Sequence, residues 1–425
     1  MKHDYSKDMV PRKIVITPAS NVISHTGRCI TLARELKRRG HEIVLAGSPR
    51  YLRNSQIVSE NEFGYYELPD FDREEAMEAL RTMKKAYNRK IFQEHLNAEL
   101  NMLSKLNPHL VIVDFRLTMY VSARVLRIPI VSLLNARWLP QYFMGKYEAP
   151  DSHPLPLLTK RIFGKRIANF LWPYLIKLIQ RYKLSPFPRI CKRYQLEVRR
   201  YLPDILIGDY NLILDTKLWG PTKNLPQNFK QVGPIIWSPD LPLPAWINEL
   251  DDSKPSIYIT MGSTGDSHLF KALFESFRDT EFQVIVSTGG QIEVNPDALS
   301  KNLYVEKYLP GEEIMKRVDM VICHGGNQTV YQAIKTGTPC LVIATHLDQE
   351  WAGQEIQTHK AGIFLTMVKV LANPSLIMEA TMRIFNNLME YQKNMKNLQE
   401  DLLKYNGLKG AVSGIEEFIQ QSYGH

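Results

Sequence analysis

Cysteine is scarce in this chain: four residues in 425, Cys29, Cys191, Cys323 and Cys340, with no CxxC pair among them. That spacing argues against a zinc site. Cys323 and Cys340 sit inside apolar runs, where thiols are expected to be buried. Long apolar runs are missing too. None approaches the ~20 residues that a bilayer-crossing helix needs. The N-terminal MKHDYSKDMVPRKIVIT has no apolar core of signal-peptide length. A cytoplasmic, reducing setting is the expectation that follows. Neither GxGxxG nor GxxxxGKS/T occurs, so the dinucleotide fingerprint and the Walker loop are both absent. No short repeat and no low-complexity segment appears.

What is present is ordinary in amount and uneven in placement. The hydrophobic fraction of 44% and charged fraction of 23% are those of a globular protein able to bury a full core without metals or disulfides. At roughly 100–200 residues per domain, the length predicts two or three domains. The formal charge is +9, yet residues 152–201 hold twelve Lys or Arg against one acid, Glu197. This segment alone carries +11, so the rest of the chain is slightly acidic.

Short β-rich runs alternate with helical patterns. Lys13 to Thr17 (KIVIT) is followed by a helix over Gly27 to Arg39, with Ile30, Ala33 and Leu36 on one face and Gly40 at its end. Glu42 to Ala46, Leu110 to Val113 and Ile130 to Leu134 continue the rhythm. A second series begins at Ser256: IYITMG, QVIVST, LYVEKY, DMVICHGG and CLVIAT. Six prolines between Pro221 and Pro244 interrupt regular structure between the two series. The pattern predicts an α/β protein of two doubly wound parallel-sheet domains. The expected divisions are residues 1–216, a Pro-rich linker over 217–255, a second domain over 256–395, and C-terminal helices over 396–425. Ligands of such sheets bind outside the carboxyl ends of the strands, so two facing domains make a cleft.

The strongest local signal runs from Val321 to Gln349: VICHGGNQTVYQAIKTGTPCLVIATHLDQ. A strand ends in His324-Gly325-Gly326, and a helix opens near Asn327 or Gln328. Glycines at a strand-to-helix turn let backbone approach a ligand closely, and the helix N-terminus favours an anion. Thr329 adds a hydroxyl. A second glycine turn, Gly262-Ser263-Thr264, follows another strand and is placed to close on the same phosphates.

These residues carry a resemblance. The stretch looks like the signature of family-one, UGT-like glycosyltransferases of GT-B fold, HGGxxTxxEA, then GxP, then DQ. The resemblance implies that His324, Gly325, Gly326, Asn327, Gln328 and Thr329 surround the donor diphosphate. It implies that Asp348 and Gln349 hold sugar hydroxyls, that Tyr308 and Leu309 pack on the base, and that Ser263 lies beside the phosphates with Gly262 and Thr264. Two residues depart from the pattern: Gln332 stands where a ribose-binding glutamate is usual, and Gly311 where glutamine is frequent.

In the first half, His25, then Leu32-Ala33, then Arg39-Gly40-His41, resembles HxxPxxxLAxxLxxRGH, whose first histidine is the general base. Thr26-Gly27-Arg28 replaces xxP. An imidazole can take a proton from an attacking alcohol at neutral pH. Asp114, at the end of an apolar run, resembles the carboxylate that orients it; the plain alternative is a helix cap. Two other histidines, His41 and His324, are set aside as bases. Asp70-Phe71-Asp72 spells the DxD of metal-dependent transferases, but it follows Leu68-Pro69 in a charged stretch and reads as solvated loop.

The basic segment contains Phe163, Ile167, Phe170, Leu171, Tyr174, Leu178 and Tyr182 at three- and four-residue steps. Pro173 is expected to kink or divide the helix. The bland reading is an acceptor-facing helix pair whose apolar side is core. The sharper one is a peripheral contact with anionic lipid at the inner face of a membrane. No nucleic-acid motif accompanies the charge. The implied activity is inverting transfer of a hexose from a nucleoside diphosphate sugar, UDP-sugar foremost, to a hydroxyl of a small lipophilic acceptor. No metal and no cofactor is implied, the sugar nucleotide being a co-substrate. Three rivals are a membrane-surface transferase acting on a lipid or lipid-linked sugar, a catalytically silent GT-B auxiliary, and an epimerase of the same architecture.

Overall fold

The computed structural model describes residues 10–54, 57–59, 61–139, 142, 148–262, 266–295 and 299–423. Two wholly parallel sheets organise the chain. The first holds β1 (Lys13–Pro18), β2 (Glu42–Gly47), β3 (Gly64–Glu67), β4 (Leu110–Asp114), β5 (Ile130–Leu134), β6 (Tyr210–Ile213) and β7 (Phe229–Gln231) in the order β3-β2-β1-β4-β5-β6-β7. The second holds β8 (Ser256–Thr260), β9 (Gln283–Ser287), β10 (Leu303–Glu306), β11 (Met320–Cys323), β12 (Cys340–Ala344) and β13 (Gly362–Thr366) in the order β10-β9-β8-β11-β12-β13. Both orders reverse direction once, beside β1 in one sheet and beside β8 in the other. Crevices open at such reversals, outside the carboxyl ends of the strands.

Alternation along buried strands feeds two apolar layers per sheet. Ile14 and Ile16 point into the layer with Ile30, Ala33 and Leu36, whereas Val15 joins the opposite layer with Val111 and Val113. The helix α1 (Ile23–Arg38) covers the first of these. It starts four residues earlier than the periodicity predicts, so His25 lies in its first turn rather than in a loop. Strands β3, β6, β7 and β13 are not visible in the sequence pattern; all are short or flanked by polar residues. Strand β7 falls inside the stretch expected to be linker and pairs with β6.

Arg73–Arg81 (α2), Pro154–Lys183 (α3), Ser267–Phe277 (α4), Asn327–Thr336 (α5), Leu347–Thr358 (α6), Leu388–Leu402 (α7) and Gly407–Tyr423 (α8) are the other helices that matter for the site. The C-terminal crossing lies later than residue 396. Met395, Leu398 and Leu402 of α7 are buried with Val330 and Ala333 of α5. Of these two C-terminal helices it is α8 that packs on the first sheet, through Ala411, Val412, Ile415 and Ile419, and Tyr423 Oη donates to the His109 carbonyl at 2.6 Å. The break in α3 falls at Gly164, with φ +81°, and not at Pro173, which sits inside a continuous stretch.

Candidate functional site

A cavity of about 500 Å³ lies between the two sheets. Its first wall is built where β1 and β4 end. Strand β4 terminates at Asp114, whose side chain is fully buried. His25, 21% exposed at its side chain, meets it from α1 with Nδ1 2.7 Å from Oδ1. The carboxylate therefore partners the imidazole rather than capping a helix. It is not theirs alone. Arg28, one turn further along α1, donates from Nε to Oδ2 at 2.5 Å and from Nη2 to Oδ1 at 2.6 Å. The bidentate pair draws the Asp114 carboxyl well below the usual carboxylate range, against the opposing effect of burial. The Arg28 Nη2 also lies 3.1 Å from His25 Nδ1. One nitrogen cannot both donate to Asp114 and accept from Arg28. The shorter contact assigns the proton to Nδ1 and leaves Nε2 as the basic atom.

Phe115 follows with φ +62°, a left-handed backbone that a bulky residue occupies at a cost. Its ring stands 5.6 Å from the His25 ring and helps wall the cavity. The DxD residues divide. Asp72 caps α2 by accepting from Glu74 N and Glu75 N. Asp70, half-buried and on the cavity wall, accepts from Ser20 Oγ at 2.6 Å. It is packed wall rather than the solvated loop the sequence suggests.

The second wall is built from glycine turns. Strand β11 runs out at Cys323 into His324, and Gly326 is the N-cap of α5. The N–H groups of Asn327, Gln328 and Thr329 lie in the first helical turn, where no carbonyl of the helix can accept from them. A Cβ at Gly326 would overlap the His324 ring, and so would one at Gly262 (φ +54°). The two glycine turns thus close on one imidazole. Burial pushes the His324 pKa down to about 3, so the ring is neutral. Its Nδ1 has no hydrogen-bond partner among the described residues. Helix α6 begins beside it, after buried His346, whose pKa burial lowers to about 4.

Of the residues named from the sequence, His25, Gly262, Tyr308, Leu309, His324, Gly326, Asn327, Gln328, Thr329, Gln332, Asp348 and Gln349 all line this cavity. Asp114 stands behind His25, and Gly325 turns away, against Val342 and the Gln349 carbonyl. Ser263 and Thr264 lie outside the described residues. Gln332 gives its Nε2 to the Trp237 carbonyl at 2.8 Å. A Cβ at Gly311 would come 3.3 Å from Gln332 Oε1. Gln349 is 1% exposed, its amide oxygen accepting from Thr345 N and Oγ1.

Sequence reasoning missed the groups that join the walls. Arg28 Nη1 donates to Asn135 Oδ1, and Asn135 Nδ2 to Asp215 Oδ1. Tyr331 Oη of α5 donates to the same Asp215 oxygen at 2.9 Å. Arg137, 6% exposed, reaches across from the first half to Asn327 Oδ1 at 2.7 Å and to the Asp348 carbonyl at 3.0 Å. Buried polar contacts therefore run without a gap from His25 to the residues beside the α5 terminus. Arg28 was findable, being three residues after His25 and so on the same helical face. Nothing in the sequence announces Asn135, Arg137 or Asp215, whose partners are distant in the chain.

Residues 271–406 match the Erythromycin biosynthesis protein CIII-like, C-terminal domain family. A PGL/p-HBAD biosynthesis glycosyltransferase of Mycobacterium tuberculosis (strain ATCC 25177 / H37Ra) is 29% identical over 360 residues, 83% of this chain and 81% of that one. A PGL/p-HBAD biosynthesis rhamnosyltransferase of Mycobacterium bovis (strain BCG / Pasteur 1173P2) is 28% identical over 359 residues, 83% and 77% of the two chains. Among solved structures, the calicheamicin glycosyltransferase CalG4 superposes with a TM-score of 0.65 at 18% identity, covering 98% of this chain and all of that one. The spinosyn rhamnosyltransferase SpnG, complexed with spinosyn aglycone, gives 0.68 at 15% identity, covering 95% and 100%; it has also been solved with thymidine diphosphate. The structural likeness fixes the fold as GT-B.

Proposed function

We propose, from the premise that this chain is one of the family-one, GT-B-type glycosyltransferases, that it moves a hexose from a nucleoside diphosphate sugar to a hydroxyl of a lipophilic acceptor, inverting the anomeric carbon. The observation that carries the reading is one cavity holding a carboxylate-paired imidazole on one wall and two converging glycine turns at a helix N-terminus on the other. In the proposed step, the acceptor oxygen bonds to the anomeric carbon as the bond to the diphosphate oxygen breaks. The hydroxyl proton passes to His25 Nε2. Asp114 stabilises the imidazolium, and the N–H groups opening α5 receive the departing diphosphate. Uridine diphosphate is the donor nucleotide expected from the sequence. Thymidine diphosphate belongs beside it in any panel, since SpnG has been solved with it.

Incubation with UDP- and dTDP-hexoses plus a panel of apolar phenols and alcohols should release nucleoside diphosphate. His25→Ala should abolish that release while the sugar nucleotide still raises the melting temperature. Unchanged turnover in that variant would remove His25 from the mechanism. Absence of release with every pairing would favour the silent-auxiliary reading. A second reading places the acceptor in a lipid layer. The composition of α3 favours it, as does the acceptor half of the cavity, where Trp172, Ile176 and Ile179 form one side.

A further inference from the structure

Helix α3 has two apolar faces, and only one of them is used inside the protein. Ala168, Trp172, Ile176 and Ile179 are buried, the last three lining the cavity. The side expected to be core is the other one, and it is open to solvent: Phe163 is 57% exposed, Ile167 48%, Phe170 72%, Tyr174 63%, Leu178 59% and Tyr182 48%. From Ile167 on, these follow steps of three and four and form one stripe. Before the break at Gly164, Leu158 and Ile162 are exposed as well. An exposed apolar face of this length is uncommon on a protein that works alone in water.

The polar residues beside the stripe say what covers it. Residues 154–183 contain seven Lys or Arg and no Asp or Glu. Arg161, Arg166, Lys177 and Arg181 are exposed and pair with no carboxylate among the described residues. No described helix is long and apolar enough to cross a membrane, so α3 can lie on a bilayer but not span it. A second copy of the chain is disfavoured, because a two-fold contact would set basic flank against basic flank. Leu80 of α2 lines the cavity while 46% exposed, and Lys183 at the end of α3, also in the lining, is bonded to the neighbouring Ala79 carbonyl.

We propose that the outward face of α3 seats the protein on an anionic phospholipid surface, with the aromatic and aliphatic stripe in the interface and the basic flanks on the headgroups. The acceptor then enters laterally, from the lipid layer into the cavity behind the same helix. This second clause rests on the lipophilic-acceptor reading above; the docking itself does not.

Co-sedimentation of the full chain with vesicles tests it. Binding to phosphatidylcholine vesicles containing phosphatidylglycerol should exceed binding to phosphatidylcholine alone by about tenfold or more, and should weaken with salt. Phe170→Ser with Tyr174→Ser, and separately Arg166→Glu with Lys177→Glu, should each remove most of it at unchanged melting temperature. Failure of the wild-type chain to bind the anionic vesicles, equal binding to both kinds, or binding that neither double variant weakens overturns the proposal. So does a dimer in solution that the Phe170/Tyr174 variant dissociates, since the second copy then covers the face. Both variants should still turn over a water-soluble acceptor at the wild-type rate. Vesicle binding without turnover on any donor would keep the docking and discard the transferase reading.

Discussion

The two walls of the cleft solve different problems with different materials. The first wall is ionic. His25, Asp114 and Arg28 are held by charge-assisted bonds of 2.5 to 2.7 Å, and the groups that matter are side chains. The second wall is nearly neutral. Its two imidazoles, His324 and His346, are kept uncharged by burial, and its useful donors are backbone N–H groups freed by glycine and by a helix start. A base must change its charge during a reaction, so it needs a titratable group beside a fixed counter-charge. A diphosphate site needs dipoles that keep their direction and titrate with nothing. The histidines are one residue type under two regimes.

Exchange of alanine for each should therefore give opposite failures, and this is the largest effect expected. His25→Ala should lower transfer by about 10²- to 10⁴-fold with donor affinity nearly intact. His324→Ala should weaken donor binding first, read by thermal shift with the sugar nucleotide. If both variants lose rate and keep binding, the division between walls is wrong.

Acid reaches both walls through their buried histidines. Burial lowers the pKa of His324 to about 3, and those of His95, His153 and His346 to about 4. Each has its folded value below the unfolded one near 6.5. Between these limits the unfolded chain binds the extra proton, so stability is intact above about pH 6.5 and falls as pH drops toward 4. The slope is up to about 1.4 kcal/mol per pH unit for each histidine. Melting temperatures between pH 7 and 4.5 measure it. Substituting His346 by Gln should flatten the slope, and an unchanged slope would show that the ring is not held neutral.

These walls were not equally legible. The second could be read almost entirely in advance, because a local device writes itself locally: strand, glycines, helix start and Gly337 stop lie within twenty residues. His25 and Asp114 were readable only through the resemblance, since 89 residues separate them and no spacing rule joins them. The arginines were not read at all. Arg137 faces partners 190 and 211 residues away. The orientation of α3 was misread because both of its faces are apolar, so periodicity locates a stripe without saying which stripe is inside. Strands β7 and β13 escaped for a simpler reason, being brief runs beside turn residues.

A smaller effect sharpens the second wall. Gly326→Ala sets a methyl against the His324 ring while leaving every contact of His25 in place. The methyl would lie 2.4 Å from His324 Nε2, so the ring or the α5 start must be displaced to admit it. Donor affinity should fall roughly tenfold, about 1.4 kcal/mol, with kcat at saturating donor close to wild type. Gly337→Ala, at the far end of the same helix, is the control for general damage to α5.

The smallest effect concerns the one place where the first wall departs from the pattern it resembles. The resembled pattern has proline at position 28, and here an arginine donates two bonds to the carboxylate that serves His25. The groups facing His25 are then Asp114 from β4 and Arg28 from α1 itself, with uncharged Phe115 and Asn135 beyond them. With the guanidinium present, part of the Asp114 charge is spent before it reaches the imidazole. Arg28→Met keeps most of the stem's packing and removes the positive charge. The carboxylate then loses the two bonds that hold it behind the imidazole, and kcat/KM should fall by about tenfold or less. A rate loss that is uniform across pH would mean that Arg28 only positions Asp114.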